Sequence, residues 1–278
     1  MTQSIATFAQ LAAGLVIWGS YALALVDWGR SERRELRPGR RAGWIWGAGA
    51  LGLALVIGAL QGLAFGWVRM WEFLTGDGRM LLLQALGLVI LVESGQSWAA
   101  RCGGTPLRPA GRRWRRWPWG WLAGALAGML GWTLLVAWLV PHHDSTNVLH
   151  LLGLEGMDPW LQLPTAIALL TLAPILEECL FRHYLLYRVA AWLSGGRDAR
   201  PWIGNAIVVT SLLWSVAHIG QIEQIWVKWV QVFVPGLVLG WTAWRHGLER
   251  AIALHWAFNL CLLGLMLARS KILYVAAK

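Results

Sequence analysis

The residues able to do chemistry in this 278-residue chain sit where an apolar helix would ordinarily exclude them. Glu177, Glu178 and Arg182 fall in Ala173-Pro-Ile-Leu-Glu-Glu-Cys-Leu-Phe-Arg182, in the middle of the longest apolar stretch. His218 closes Trp214-Ser-Val-Ala-His218, and His255 and Asn259 bracket His255-Trp-Ala-Phe-Asn259. An ionisable side chain inside a membrane helix costs about 2.5 to 3.5 kcal/mol on insertion scales, so such residues pair or serve a function. Glu178 and Arg182, at i and i+4, share a helix face and can form an ion pair with Glu N-terminal to Arg. Glu177 is turned about 100° away and has no partner in its own helix. Carboxylates in different environments can take different roles: the unpaired one suits general acid-base work on water. His255 and Asn259, again at i and i+4, share a face, so the amide can hold a histidine tautomer or donate to a developing oxyanion. Together these are the parts for activating water and stabilising a tetrahedral intermediate. Taken singly, each also fits a purely structural role: an ionic network locking helices, a packed histidine, a hydrogen bond between helices.

The elements that must position these groups follow from composition. The chain is 57% hydrophobic and 14% charged, whereas a soluble domain carries roughly a quarter charged residues. Apolar stretches run over Ile5 to Val26, Trp44 to Val68, Met80 to Ala100 (interrupted by Glu93), Trp117 to Val140, Trp160 to about Trp192, Trp202 to Ile222, about Ile225 to Trp244, and Ala251 to Ala268. Each is long enough to cross a ~30 Å hydrocarbon core as a helix, and helices are required because lipid cannot satisfy free backbone groups. The expectation is an all-α, polytopic membrane protein of about eight transmembrane helices enclosing an intramembrane catalytic chamber. Ile5 to Val26 reads as a retained first span, being too long for a signal sequence's apolar core.

The net charge of +10 comes mainly from arginines, the lysines being Lys228, Lys271 and Lys278. Arg30, Arg33, Arg34, Arg37, Arg40 and Arg41 follow the first span, and Arg101, Arg108, Arg112, Arg113, Arg115 and Arg116 follow the third. Pro141 to Pro159, after the fourth, has no basic residue. The positive-inside rule puts the arginine-rich connections in the cytoplasm and both termini outside, with Arg269, Lys271 and Lys278 running against that at the C-terminus. Tryptophans such as Trp44, Trp46, Trp119, Trp121, Trp241 and Trp244 cluster at span ends as interfacial anchors, which argues against an aromatic and basic surface for nucleic acid. Gly58/Gly62/Gly66, Gly120/Gly124/Gly128 and Gly236/Gly240 form small-residue rows that let helices approach. Cys102, Cys179 and Cys261 make neither a disulfide framework nor a zinc knuckle. His142, His143 and His150 with Asp144 read as a solvated loop rather than a metal cluster, and Lys228 and Glu93 as snorkelling residues.

The three motifs resemble those of the CPBP (CAAX protease and bacteriocin-processing, or Abi) family of intramembrane proteases, which includes the type 2 CAAX prenyl endopeptidase. The resemblance covers roughly Leu161 to Leu267. EExxxR is matched by Glu177, Glu178 and Arg182; FxxxH by Trp214 and His218, with Trp replacing Phe; HxxxN by His255 and Asn259. FVPGLVLGWTAWRHG looks like the family's glycine-rich penultimate helix. The resemblance implies cleavage near the C-terminus or membrane border of membrane-attached substrates. By its mechanism, Glu177 activates water with His218, His255 and Asn259 stabilise the oxyanion, and Glu178 with Arg182 orients the site. No cofactor is expected. A divalent metal is left open, since Glu177, His218 and His255 are a permissible zinc set, but the lack of an HExxH helix favours metal-free activation.

The reading is thus a glutamic-type intramembrane endopeptidase of the inner (plasma) membrane. Residues 1–159 form an N-terminal four-helix region and 160–278 the catalytic core. Its partners are the lipid bilayer and a membrane-attached protein or peptide substrate, and the arginine-over-lysine bias points to a bacterial peptide rather than a prenylated one. The alternatives are a non-catalytic immunity or scaffold protein and a proton-coupled transporter. One conflict stands. His255 lies about 6 Å into its expected span and His218 about 24 Å into its own, from the same side. Upright helices starting at one level would keep them apart.

Overall fold

A computed structural model of the chain describes residues 2–32, 40–65, 77–103, 118–140, 154, 157–218 and 225–276. Among the described residues all regular structure is helical: α1 (Thr2–Glu32), α2 (Arg40–Phe65), α3 (Asp77–Arg101), α4 (Trp119–Leu139), α5 (Pro159–Glu178), a π-helical segment (Cys179–Leu185), α6 (Leu186–Leu193), α7 (Ile203–Ala217), α8 (Ile225–His246) and α9 (Leu248–Ala276). Within the described residues every expected span falls largely on helix. Four of them, Leu11–Arg30, Trp119–Leu139, Trp160–Leu193 and Leu248–Ala268, are long and apolar enough to cross a membrane. Among the others α7 has 15 residues, about 22 Å, and α2 holds a shorter apolar run, Ile45–Leu60.

The rod formed by α5, the π segment and α6 is the axis of the fold. Trp160–Leu193 is 34 residues, about 50 Å of helix, so it must tilt within a ~30 Å core or extend beyond it. All seven residues of its π segment are buried, and they pack against α1, α3, α7, α8 and α9. A π turn in an α-helix is a local misfit that tertiary packing must support, and the N-terminal helices help to supply that support. A Cβ on Gly95 of α3 would lie 2.6 Å from the carbonyl oxygen of His183, so only glycine lets α3 approach so closely. Asp27 of α1 adds a polar tie: its Oδ2 accepts from Trp98 Nε1 at 3.0 Å, Tyr184 Oη at 2.8 Å and Arg188 Nε at 2.9 Å.

The small-residue rows divide. Gly236 and Gly240 of α8 press on Ser211, Trp214 and Ile207 of α7, where a Cβ would meet neighbours at 2.9 to 3.0 Å. Among the described residues Gly120, Gly124 and Gly128 face nothing within 4 Å, which corrects their reading as a packing row. Gly58 is buried, and Gly66 lies outside the described residues. Glu93 is no snorkelling residue either: it sits eight residues from the end of α3 and accepts a hydrogen bond from Trp28 Nε1 at 2.7 Å. Exposed tryptophans do sit at helix ends, Trp119, Trp138, Trp160, Trp192 and Trp226 among them, as interfacial anchoring requires.

Candidate active site

Glu177 and Glu178 end α5, just before the backbone widens into the π segment. Pro174, one turn earlier, cannot donate to the carbonyl four residues back, so irregular backbone flanks the two acids on both sides. Their side chains diverge as the 100° step requires, and each meets a different partner.

Glu178 is fully buried, and its Oε1 lies 3.4 Å from Arg182 Nη1 and 2.9 Å from His255 Nδ1. Arg182, 1% exposed, reaches Gly236 O of α8 at 3.5 Å, and its guanidinium stacks 4.3 Å above the Trp214 ring. The ion pair expected from i, i+4 spacing is therefore made, but His255 joins it. A carboxylate only accepts, so His255 Nδ1 carries a hydrogen donated to Glu178. The imidazole then presents a bare Nε2 when neutral and a second N–H when protonated.

Glu177 is a quarter exposed and points to α7. Trp214 Nε1 donates to its Oε2 at 2.6 Å, and His218 Nε2 lies 3.7 Å from the same oxygen. His218 Nδ1 is 2.8 Å from the Trp214 carbonyl oxygen, an acceptor, so the Nδ1 hydrogen is fixed there and Nε2 faces Glu177. At 3.7 Å the two are beyond a direct hydrogen bond. Lys228, half-buried in the first turn of α8, lies within electrostatic range of both Glu177 and His218, a role that snorkelling did not foresee.

The two histidines, which upright helices starting at one level would keep apart, both stand against Trp214. No loop separates α8 from α9, only Gly247 at φ 101°, which lets the chain reverse in one residue. His255 therefore lies two turns inside α9, while α7 ends at Ala217 with His218 as its C-cap. The Trp214 indole spans the remaining gap, edge-on to both imidazoles with ring centroids 4.8 Å from His218 and 5.4 Å from His255. Four of the six expected residues, Glu177, Arg182, His218 and His255, thus surround one indole, and Glu178 joins them through Arg182 and His255. Asn259, a turn beyond His255 and half-buried, forms no hydrogen bond with the other five.

Among the described residues no three His, Cys, Asp or Glu side chains come close enough to hold a metal, Glu177, His218 and His255 included. His142, His143, Asp144 and His150 lie outside the described residues. The three cysteines are free. Two contributors had no signal in the motifs. His183 is fully buried in the π segment against Val92 O at 3.1 Å, and Asp27 anchors the rod from α1. An acidic residue directly after an apolar span was the visible clue to the latter.

Fold and site define a protein whose described residues form only helices, consistent with a multi-pass membrane protein, and whose buried acid, imidazole, guanidinium and indole groups converge from the central rod, α7 and α9. Residues 159–261 match the family model described as type II CAAX prenyl endopeptidase Rce1-like, so the resemblance carried by the three motifs holds over this segment. The sporulation-killing factor biosynthesis protein SkfC of Bacillus subtilis (strain 168) is 30% identical over 97 residues, which make up 34% of this chain and 18% of that protein. No solved structure matches the chain.

Proposed function

We propose that the chain is an intramembrane endopeptidase of the glutamic type, with eight spans and both termini outside. The observation that carries this is the 3.7 Å separation of Glu177 Oε2 from His218 Nε2. Two lone pairs facing each other at that distance call for a shared donor, and a water giving one hydrogen to each is the nucleophile a peptidase needs. The Trp214 N–H bond fixes the carboxylate, and the Trp214 carbonyl fixes the tautomer of His218. Glu177 takes the proton as water attacks the scissile carbonyl, and passes it to the leaving amine. The His255 imidazole, bonded to Glu178 through Nδ1, and the Asn259 amide form the oxyanion site. Arg182 balances Glu178 and orients the pair.

We read residues 1–159 as the scaffold of the central rod and 160–278 as the core that carries the chemistry. The substrate in this reading is a bacterial membrane-attached peptide or protein, supported by a relative named for biosynthesis of a sporulation-killing factor. The test is cleavage of membrane peptides by the full chain in proteoliposomes, read by mass spectrometry in water enriched in oxygen-18. One label enters the new C-terminus when water attacks directly. Undiminished cleavage by Glu177→Ala or His218→Ala protein would overturn the assignment.

A further inference from the structure

We propose that the cavity between α1, α3 and α6 binds the phosphate of an anionic phospholipid, one headgroup per protein. The cavity, of about 210 Å³, is lined by Arg30, Arg101 and Arg188 together with Asp27, Ser97 and Trp98. The arginines come from the ends of three separate helices, so the fold gathers cations that the sequence leaves far apart.

Charge bookkeeping leaves this cavity open to an anion. Among the described residues Asp27 is the only acid lining it, and that carboxylate already accepts from Trp98, Tyr184 and Arg188 through one oxygen. Arg30 and Arg101 remain, and among the described residues neither has an acidic partner. The guanidiniums of Arg101 and Arg188 both lie 4.8 Å from the centroid of the Trp98 ring, which holds two planar forks in fixed orientation. Guanidinium forks bind phosphate oxygens in pairs, and basic pockets between transmembrane helices suit lipid headgroups.

A lipid is favoured over a soluble phosphate by what lies next to the cavity. Val26 and Leu23 stand four and seven residues before Arg30 on the same face of α1, 49% and 50% exposed. That stripe offers an acyl chain an apolar track leading from the headgroup. A soluble phosphate has no use for it. The site is separate from Glu177 and His218 and does not depend on peptidase activity.

The test is native mass spectrometry and ligand titration of the full-length protein in detergent with phosphatidylglycerol, phosphatidylcholine or inorganic phosphate. One phosphatidylglycerol should stay bound while phosphatidylcholine is lost. Arg30→Gln with Arg101→Gln should raise the phosphatidylglycerol Kd roughly thirtyfold, on about 1 kcal/mol per arginine. If the double variant proves unstable in phosphatidylcholine, Arg101→Gln alone should show roughly a fivefold rise on the same scale. Equal phosphatidylglycerol affinity in wild type and variant would overturn the site. Inorganic phosphate binding as tightly as phosphatidylglycerol would overturn the lipid as its occupant.

Discussion

His255 Nδ1 lies 2.9 Å from Glu178 Oε1, so the third motif is bonded to the second acid of the pair and not to the first. The two neighbouring glutamates thereby separate into a buried structural anion and a more accessible one. Glu178 neutralises Arg182 where neither side chain reaches solvent. Glu178→Gln should therefore leave a buried guanidinium uncompensated and cost about 3 to 5 kcal/mol. Glu177→Gln, at a quarter-exposed site whose indole donor a glutamine oxygen can still meet, should cost far less. Denaturant titration of the two variants in micelles checks this, and equal stability would contradict the division of roles.

Activity should divide the other way. Glu177→Gln keeps the shape of the site and removes the base of the proposed mechanism, so cleavage should fall by about 10² to 10⁴ while the thermal midpoint stays close to that of wild type. Rates measured on a membrane peptide substrate, alongside Tm, separate this loss from unfolding. Retained turnover would remove Glu177 from the reaction.

What could be read in advance was whatever depends on spacing along one helix. The Glu178 and Arg182 pair is set by i, i+4 geometry, and the positions of the helices by apolar stretches of membrane length. What could not be read was the choice of partner across helices. Spacing assigns His255 a face but not an acid, and its pairing with Glu178 is made across helices 77 residues apart in sequence. The π segment was equally hidden, since its stability lies in packing by α3 and α8 rather than in the propensity of Cys179–Leu185. Charge pattern gave Glu93 an end-of-helix snorkelling role that its hydrogen bond from Trp28 replaces.

Trp214 departs from the phenylalanine of the resembling motif, and the structure gives its indole a task no phenylalanine can do. Its N–H donates to Glu177 at 2.6 Å, while its ring face takes the Arg182 guanidinium. Trp214→Phe keeps the ring and loses the donor. A hydrogen bond to a charged group contributes about 1.5 to 3 kcal/mol, so kcat/KM should fall about tenfold or more if the bond persists in the transition state. An unchanged kcat/KM would mean that the indole nitrogen serves packing alone.

Glycine positions test whether the N-terminal helices support the site. On Gly95 a methyl group would meet the backbone carbonyl of His183 at 2.6 Å, and backbone cannot turn aside as a side chain can. Gly95→Ala should force α3 away from the π segment, destabilise the fold by about 1 to 3 kcal/mol and lower turnover, although no atom of Gly95 belongs to the reacting groups. Gly128→Ala, with nothing within 4 Å of the new methyl, should be neutral or up to about 1 kcal/mol stabilising through helix propensity. Unfolding and cleavage measured on both variants settle the matter together. If Gly95→Ala behaves like Gly128→Ala, then α3 does not hold the rod that presents Glu177, and the catalytic core stands without its N-terminal scaffold.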